Sequence, residues 1–502
     1  MPSARGLSLA PLFVCAGLAL SLDGCAVGPD FQRPVAPEQA GYAEKPLPQQ
    51  IPAATAEPGG EAQQLRTGSD LAQDWWKLFQ SEPLTRLIES ALQENATLAA
   101  ATASLRQAQE ILAANRGNLL VPGVNAQAGF ARDRESAAAF GFTSPATTFN
   151  LYNVGVNVSY TLDLFGSIRR QLEALQAQVD YQEYEVRGAQ LALTANIVTS
   201  VIRDTQLREQ IAALRDVEKF ERASLAIVER RFELGAVTLA DVLSQRSALA
   251  STVASIPPLE RQQAQTRHLL AVYAGRSPAQ FDGQALDDVH LALPTDLPVS
   301  LPSDLARQRP DVLEAEALLH QASAQVGVAT ANLYPQLTLG GNLGYTSLEP
   351  GQLFVPGSLV WGMSASVVQP IFHGGALAAQ RRAAIAAFDA AAANYRQTVL
   401  TAFANVADTL RGLEYDAQAL AAVADAYREA HDAAELAQAQ FDAGSASYLS
   451  LLSAQQQYRQ AAVSLAQARA DRLADTAALF QALGGGWWNA ARQSEDRPVA
   501  SN

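Results

Sequence analysis

The strongest constraint on this chain is that it repeats itself. Arg230 to Ser244 reads R-R-F-E-L-G-A-V-T-L-A-D-V-L-S and Ala439 to Ser453 reads A-Q-F-D-A-G-S-A-S-Y-L-S-L-L-S, so Phe232, Gly235 and Leu243 meet Phe441, Gly444 and Leu452, each 209 residues later. A-V-Y-A-G ending at Gly275 meets F-Q-A-L-G ending at Gly484 at the same spacing. Upstream, Asn118-Leu119-Leu120 meets Asn332-Leu333-Tyr334 at a spacing of 214. The chain is therefore two copies of one long supersecondary unit.

Each copy reads as helix, two strands, very long helix, turn and second long helix. Tyr152, Val154, Val156, Val158, Tyr160 and Leu162 alternate with Asn153, Gly155, Asn157, Ser159 and Thr161, which is the period of a strand with one apolar and one polar face. Val124, Ala126, Ala128 and Phe130 make a weaker alternation. In the second copy Leu337, Leu339, Leu343 and Tyr345 alternate with Thr338, Gly340, Asn342 and Thr346, and Leu359, Trp361, Met363 and Ala365 face away from Gly362, Ser364 and Ser366. The pattern predicts strands over 123–133, 149–163, 336–347 and 359–369. Each is near the roughly ten residues with which a tilted strand crosses a bilayer. Ser167 to Leu234 and Gly375 to Phe441 contain no Pro and are rich in Ala, Leu, Gln, Glu and Arg. At 1.5 Å per residue each would make a helix about 100 Å long. The stripe Ile197, Val201, Leu207, Ile211 and Leu214 suits packing against other helices. Gly235 and Gly444 stand where a helical hairpin needs a left-handed C-cap, which places hairpin tips near 235 and 444.

Residues 1–24 read as a signal peptide: Arg5, an apolar run from Leu7 to Leu20, then Leu22-Asp23-Gly24-Cys25, a lipoprotein box with Asp23 where a small uncharged residue is usual. Cleavage there leaves Cys25 to carry N-acyl and diacylglycerol lipid. Residues 25–74, rich in Pro, Gly, Gln and Ala, read as a lipidated tether that forms neither a helix nor the centre of a sheet. Repeat 1 then occupies 75–280, an equatorial linker 281–310, repeat 2 311–486 and a C-terminal tail 487–502.

After residue 25 no run approaches the roughly 20 apolar residues of a membrane-spanning helix. A balance of 36 basic against 50 acidic residues, net −14, argues against a nucleic-acid partner. His268, His290, His320, His373 and His431 are scattered without a ligand pair, and neither a nucleophile elbow nor a phosphate loop is present, so no enzyme, metal or cofactor is expected. Four amphipathic strands cannot close a barrel, and open edges in lipid leave costly unpaired backbone. Three chains would supply twelve strands. The residues alone lead to an α+β membrane protein in which three chains share one 12-stranded β-barrel, four strands per chain, and bring their long helices together into one tube.

The sequence resembles the TolC-like outer-membrane factors of tripartite efflux systems, in their lipoprotein, NodT-type branch. The resemblance rests on C-A-V-G-P-D-F-Q-R-P (Cys25 to Pro34), D-W-W-K-L-F (Asp74 to Phe79), A-R-Q-R-P-D-V (Ala306 to Val312), Y-L-S-L-L-S-A-Q (Tyr448 to Gln455) and A-L-G-G-G-W (Ala482 to Trp487), in that order. It implies a trimeric 12-stranded outer-membrane β-barrel continued by an α-helical coiled-coil periplasmic tunnel, the homotrimer being anchored by lipid in the bacterial outer membrane, docked to a periplasmic membrane-fusion adaptor and an inner-membrane RND-type pump, and passively exporting drugs or toxic compounds. It also implies a periplasmic gate at the second-copy tip, with an apolar ring at Leu449. Ser453 stands where an Asp ring usually follows and Gln456 at a commonly basic position, so closure is expected from the Leu449 ring plus hydrogen bonds from Ser453 and Gln456. Asp241, Arg231 and Arg246 are the partners expected across the helices. Arg231, Gly235, Ala236, Gly444 and Ser445 are the tip residues expected to meet the adaptor. The alternative is a periplasmic coiled-coil structural lipoprotein without channel activity, in which Leu449 is ordinary helix packing.

Overall fold

A computed structural model describes residues 26–35, 41–42, 48–55, 59–136, 141, 143 and 145–489. The signal peptide, Cys25 and the tail beyond Asn489 lie outside the described residues. In chain order the elements are β1 (Gln50–Ile51), β2 (Gln63–Thr67), α1 (Glu82–Glu94), α2 (Ala96–Leu120), β3 (Gly123–Glu135), β4 (Thr147–Leu162), α3 (Ser167–Glu233), α4 (Leu239–Tyr273), β5 (Asp296–Val299), α5 (Pro302–Gln308), α6 (Pro310–Ala331), β6 (Gln336–Ser347), β7 (Leu359–Val368), α7 (Ala376–Asp442) and α8 (Tyr448–Ala482), with short 3-10 turns between some of them. Among the described residues no helix is long and apolar enough to cross a membrane. The chain divides into two compact units.

The first unit takes the described residues up to Pro34, Ser104–Gln182 and Ala315–Tyr395. Its sheet has the order β3-β4-β6-β7, antiparallel throughout. Phe130 lies opposite Tyr152, Val154 opposite Tyr345, and Tyr345 opposite Leu359. Val156, Leu343 and Trp361 form the next row. Directly opposed residues share a face, so the apolar series of all four strands lies on one side, and Asn153, Asn157, Asn342, Ser364 and Ser366 on the other. β3 runs on to Glu135 and β4 starts at Thr147 because Arg134 pairs with Thr148 and Glu135 with Thr147. Ladder bonds carry these polar ends, which the hydrophobic alternation does not mark. β3 and β7 are the sheet's two edges.

The segment following Cys25 is not a free tether. Val27 N–H donates to Phe165 O, Asp30 pairs with Arg170, Phe31 stacks on His320 at 4.2 Å between ring centroids, and Arg33 pairs with Glu316 at 2.8 Å. Gly28 has φ +99, and a Cβ there would come within 2.6 Å of Gly327 Cα. Proline excludes a helix here, but it does not exclude an extended segment docked residue by residue on a helix face.

The second unit takes Val35–Ala103, Glu183–Glu314 and the chain from Arg396 onward. A second departure from the sequence expectation lies here: β2, inside the predicted tether, is the centre of a sheet ordered β1-β2-β5, antiparallel to β1 and parallel to β5. The stretch from Gly59 to Glu82 contains no Pro, so averaging composition over the whole segment hid a strand. Gln63 of β2 is fully buried, and its amide donates to Pro294 O at 2.9 Å and to Thr476 Oγ1 at 3.2 Å. Trp75 and Phe79 pack on Phe480 beneath, at 5.6 and 6.3 Å between centroids. The chain passes this cluster through Gly486, with φ +72, where a Cβ would meet Leu71 O at 2.3 Å and Ala72 O at 2.5 Å. Gly486→Ala is therefore expected to cost about 2 kcal/mol or more, read as a lowered midpoint in thermal unfolding.

Candidate functional site: the hairpin tips

The two hairpins of the second unit turn in the same way. α3 ends on Gly235 and α7 on Gly444, both at φ +72. At the first, Gly235 N–H donates to Phe232 O and Ala236 N–H to Arg231 O; at the second, Gly444 N–H donates to Phe441 O and Ser445 N–H to Gln440 O. This is a Schellman ending, which needs the left-handed residue that only Gly adopts without strain. Gly235, Ala236, Gly444 and Ser445 are all exposed. Apolar side chains stand out around the first turn, with Leu234 at 70% and Leu239 at 54% exposure.

Inside the tip, Val228, Val242, Phe441, Tyr448 and Leu451 form a buried cluster drawn from both hairpins. Arg231 crosses between them: its guanidinium lies 4.3 Å from the Phe441 ring centroid and donates to Phe441 O at 2.6 Å and Asp442 O at 2.7 Å. It satisfies the last carbonyls of α7 and sets a cation at that helix's negative end. Further from the turn comes a polar layer. Tyr448 donates to Gln245 Oε1 at 2.7 Å, Gln245 to Glu221 O at 3.2 Å, Gln455 to Ser224 Oγ at 3.1 Å, and Ser224 to Gln438 Oε1 at 2.8 Å. Burial, then the nearby Asp241 and Glu221, push the Tyr448 phenol up, which keeps it a donor. Sequence reading missed this layer. The signal for it was Gln245 and Gln455, polar residues one turn beyond the apolar Val242 and Leu451.

Leu449, Ser453 and Gln456, at i, i+4 and i+7, share an exposed face of α8 turned away from the buried Leu451 and Gln455. Leu449 is 73% exposed. Among the described residues, the side chains of Ser453 and Gln456 make no hydrogen bond within the chain. Of the three residues expected to pair across helices, Arg231 reaches the second hairpin and Arg246 reaches the neighbouring helix of its own hairpin, while Asp241 does not cross. Asp241 closes a capping box, its carboxylate accepting from Thr238 N–H and Oγ1 at 2.8 Å each, and Arg246 pairs with Glu229 at 2.7 Å in its own hairpin. A Thr three residues before an Asp at a helix start favours that local bond over a distant one. Arg231→Ala should leave two α7 carbonyls without this donor. Amide exchange around Phe441 to Tyr448 is expected to quicken about tenfold, the equivalent of losing one charge-assisted hydrogen bond.

Comparison with known proteins places this geometry. The family model of the outer membrane efflux protein matches residues 87–276 and again 301–485, once in each half of the chain. The toluene efflux pump outer membrane protein TtgF of Pseudomonas putida is 30% identical over 484 residues, 96% of this chain and 98% of its own. The pyoverdine export outer membrane protein OpmQ of Pseudomonas aeruginosa is 31% identical over 428 residues, 84% of this chain and 88% of its own. Among solved structures, the outer-membrane channel OprN superposes with a TM-score of 0.83 at 29% identity, covering 92% of this chain and all of that one. The open-state MtrE outer membrane channel of Neisseria gonorrhoeae does so with 0.76 at 26%, covering 92% and 98%. The fold is that of the outer-membrane efflux channels. The chain belongs to the outer membrane efflux protein family.

Proposed function

We propose that three copies of this chain close into one 12-stranded barrel and one helical tunnel, forming the exit duct of a tripartite efflux pump. The duct passively conducts small toxic compounds from an inner-membrane RND-type pump through a periplasmic adaptor to the exterior. The observation that carries this reading is the pair of unpaired sheet edges. β3 leads away from α2 and β7 leads back to α7, so β7 of one copy set beside β3 of the next continues the antiparallel order until the third copy closes it. The apolar face then meets lipid and the Asn- and Ser-rich face meets water. Leu449, Ser453 and Gln456 gather as the periplasmic gate. The turns at Gly235 and Gly444, with Arg231, Ala236 and Ser445, meet the adaptor. Cys25 carries the lipid next to Ala26, which lies so close to Gly166 that a Cβ there would come within 2.6 Å of Ala26 Cα. The relatives' names speak of toluene and pyoverdine, and small organic molecules are the cargo class that fits such a duct. The test is heat-modifiable trimer migration together with planar-bilayer conductance of the mature protein. Monomers that pass no current would overturn the duct in favour of a coiled-coil lipoprotein.

A further inference from the structure

The loop end of β3 carries four charges in succession, Arg132-Asp133-Arg134-Glu135. Strand alternation sorts them. Arg132 and Arg134 fall in line with Val124, Ala126, Ala128 and Phe130 on the apolar face, while Asp133 and Glu135 fall in line with Asn125, Gln127 and Gly129 on the polar face. Opposite the arginines stand Asn150 and Thr148, neither of which neutralises a guanidinium. Both arginines are exposed, and among the described residues neither makes an ion pair or a side-chain hydrogen bond. Two exposed cations thus end the apolar row with no paired anion among the described residues, which leaves their guanidinium groups open to an anion from outside.

The level at which they sit is marked by aromatic rings. Phe130 packs on Tyr152 at 5.0 Å between centroids, and Tyr345, on the same face, meets Phe354 edge to face at 5.4 Å. Trp361, one row nearer the helices, is 72% exposed. Phe354 belongs to the β6–β7 connection, which two 3-10 turns, Pro350–Gln352 and Pro356–Ser358, fold back toward this face; Ser358 Oγ donates to Gln352 O at 2.6 Å. Phe354 and Leu348 remain 69% and 58% exposed. Aromatic rings on a transmembrane barrel collect where acyl chains meet headgroups. At about 3.3 Å per residue, Arg132 lies about 7 Å and Arg134 about 13 Å beyond Phe130 along the strand. That is headgroup depth, and the guanidinium fork matches phosphate oxygens.

We propose that Arg132 and Arg134 bind the phosphate groups of a phosphorylated lipid in the external leaflet, whose acyl chains lie over Phe130, Tyr152 and Phe354. This rests on the duct reading, which turns the loop end of the sheet outward. The lipid face and the lumen then take opposite charge from one four-residue run, with Asp133 and Glu135 lining the outer mouth.

Trimers in non-ionic detergent are titrated with bis-phosphorylated lipid A, and bound lipid is counted by native mass spectrometry. Each arginine near an anionic surface is worth about fivefold in affinity, so Arg132→Gln with Arg134→Gln should weaken retention about thirtyfold. Dephosphorylated lipid A should bind the wild type no better than it binds that variant. Asp133→Asn with Glu135→Gln should retain lipid as the wild type does, and inorganic phosphate should not displace it. If the double arginine variant fails to assemble, Arg134→Gln alone carries the test with an expected loss of about fivefold. Equal retention by wild type and arginine variants overturns the site, as does indifference to dephosphorylation or displacement by inorganic phosphate. Conductance and trimer migration of the same samples separate the two readings. Conducting trimers without a lipid preference sink the lipid site alone, whereas a wild type that neither assembles nor conducts sinks the duct and the site with it.

Discussion

Leu449→Ala combined with Ser453→Ala is expected to turn small, flickering currents in planar bilayers into large, steady ones, with mean conductance rising about threefold or more, because an apolar constriction closes a pore by excluding water. Neither side chain holds its own chain together: Leu449 is 73% exposed and both sit on the α8 face turned away from the tip cluster. The variant should therefore unfold at the wild-type temperature, so that a change in current reports the gate and not a loosened fold. Leu451→Ala supplies the contrast. Leu451 is fully buried in the tip cluster, and its truncation should cost about 3 kcal/mol. Gln456→Ala, a third residue on the exposed face, should add to the opening if its amide bonds across copies in the closed state. Currents identical in wild type and the Leu449→Ala, Ser453→Ala variant would keep the duct and move the constriction away from α8.

Much of this molecule could be read from local pattern because its elements are long and regular. Strict alternation from Tyr152 to Leu162 and long Pro-free runs bounded by Gly235 and Gly444 are signals that tertiary context seldom overrides. What escaped was short or long-range. β2 is a five-residue strand in a short Pro-free stretch that follows Pro-rich sequence, and its register depends on β5, more than two hundred residues away. The role of Asp241 turned on a competition between a local cap and a distant partner, which spacing favours but does not settle. The sequence marks Arg231 as a tip residue, yet its seat over Phe441 joins helix ends 210 residues apart in sequence. The polar layer around Gln245 and Gln455 was legible only as a polar interruption of an apolar stripe. A group of charges on α7 and α8 escaped for the same reason: Asp416 and Asp475 belong to no motif and meet only through folding.

Those charges carry the second large effect. Arg472 of α8 has no exposed surface, and its guanidinium donates to Gly59 O at 3.2 Å, Glu61 O at 2.7 Å and Gln63 Oε1 at 3.4 Å, fastening the segment that leads into β2. Arg472→Met keeps the aliphatic stem and removes every donor. The expected cost is about 3 kcal/mol, since buried acceptors lose their partner and nearby carboxylates lose a cation. Burial, reinforced by the charge of Asp475 and a hydrogen bond with it, pushes the Asp416 carboxyl up to about 7, while Arg472 opposes that shift. An acid whose folded-state pKa exceeds its unfolded value binds its proton more tightly when folded. Its contribution is thus complete below about pH 4 and is lost as pH rises through about 7. Melting temperatures measured from pH 4 to 8.5 should fall across that window in the wild type. The fall should be flatter in Asp416→Asn, which matches the wild type at the acid end and exceeds it at the alkaline end. In Arg472→Met the window should move to higher pH, because the opposing cation is gone. A wild-type profile that Asp416→Asn reproduces throughout would show that the carboxyl pair does not set the slope, and the cost of Arg472→Met would then belong to its three carbonyl bonds alone.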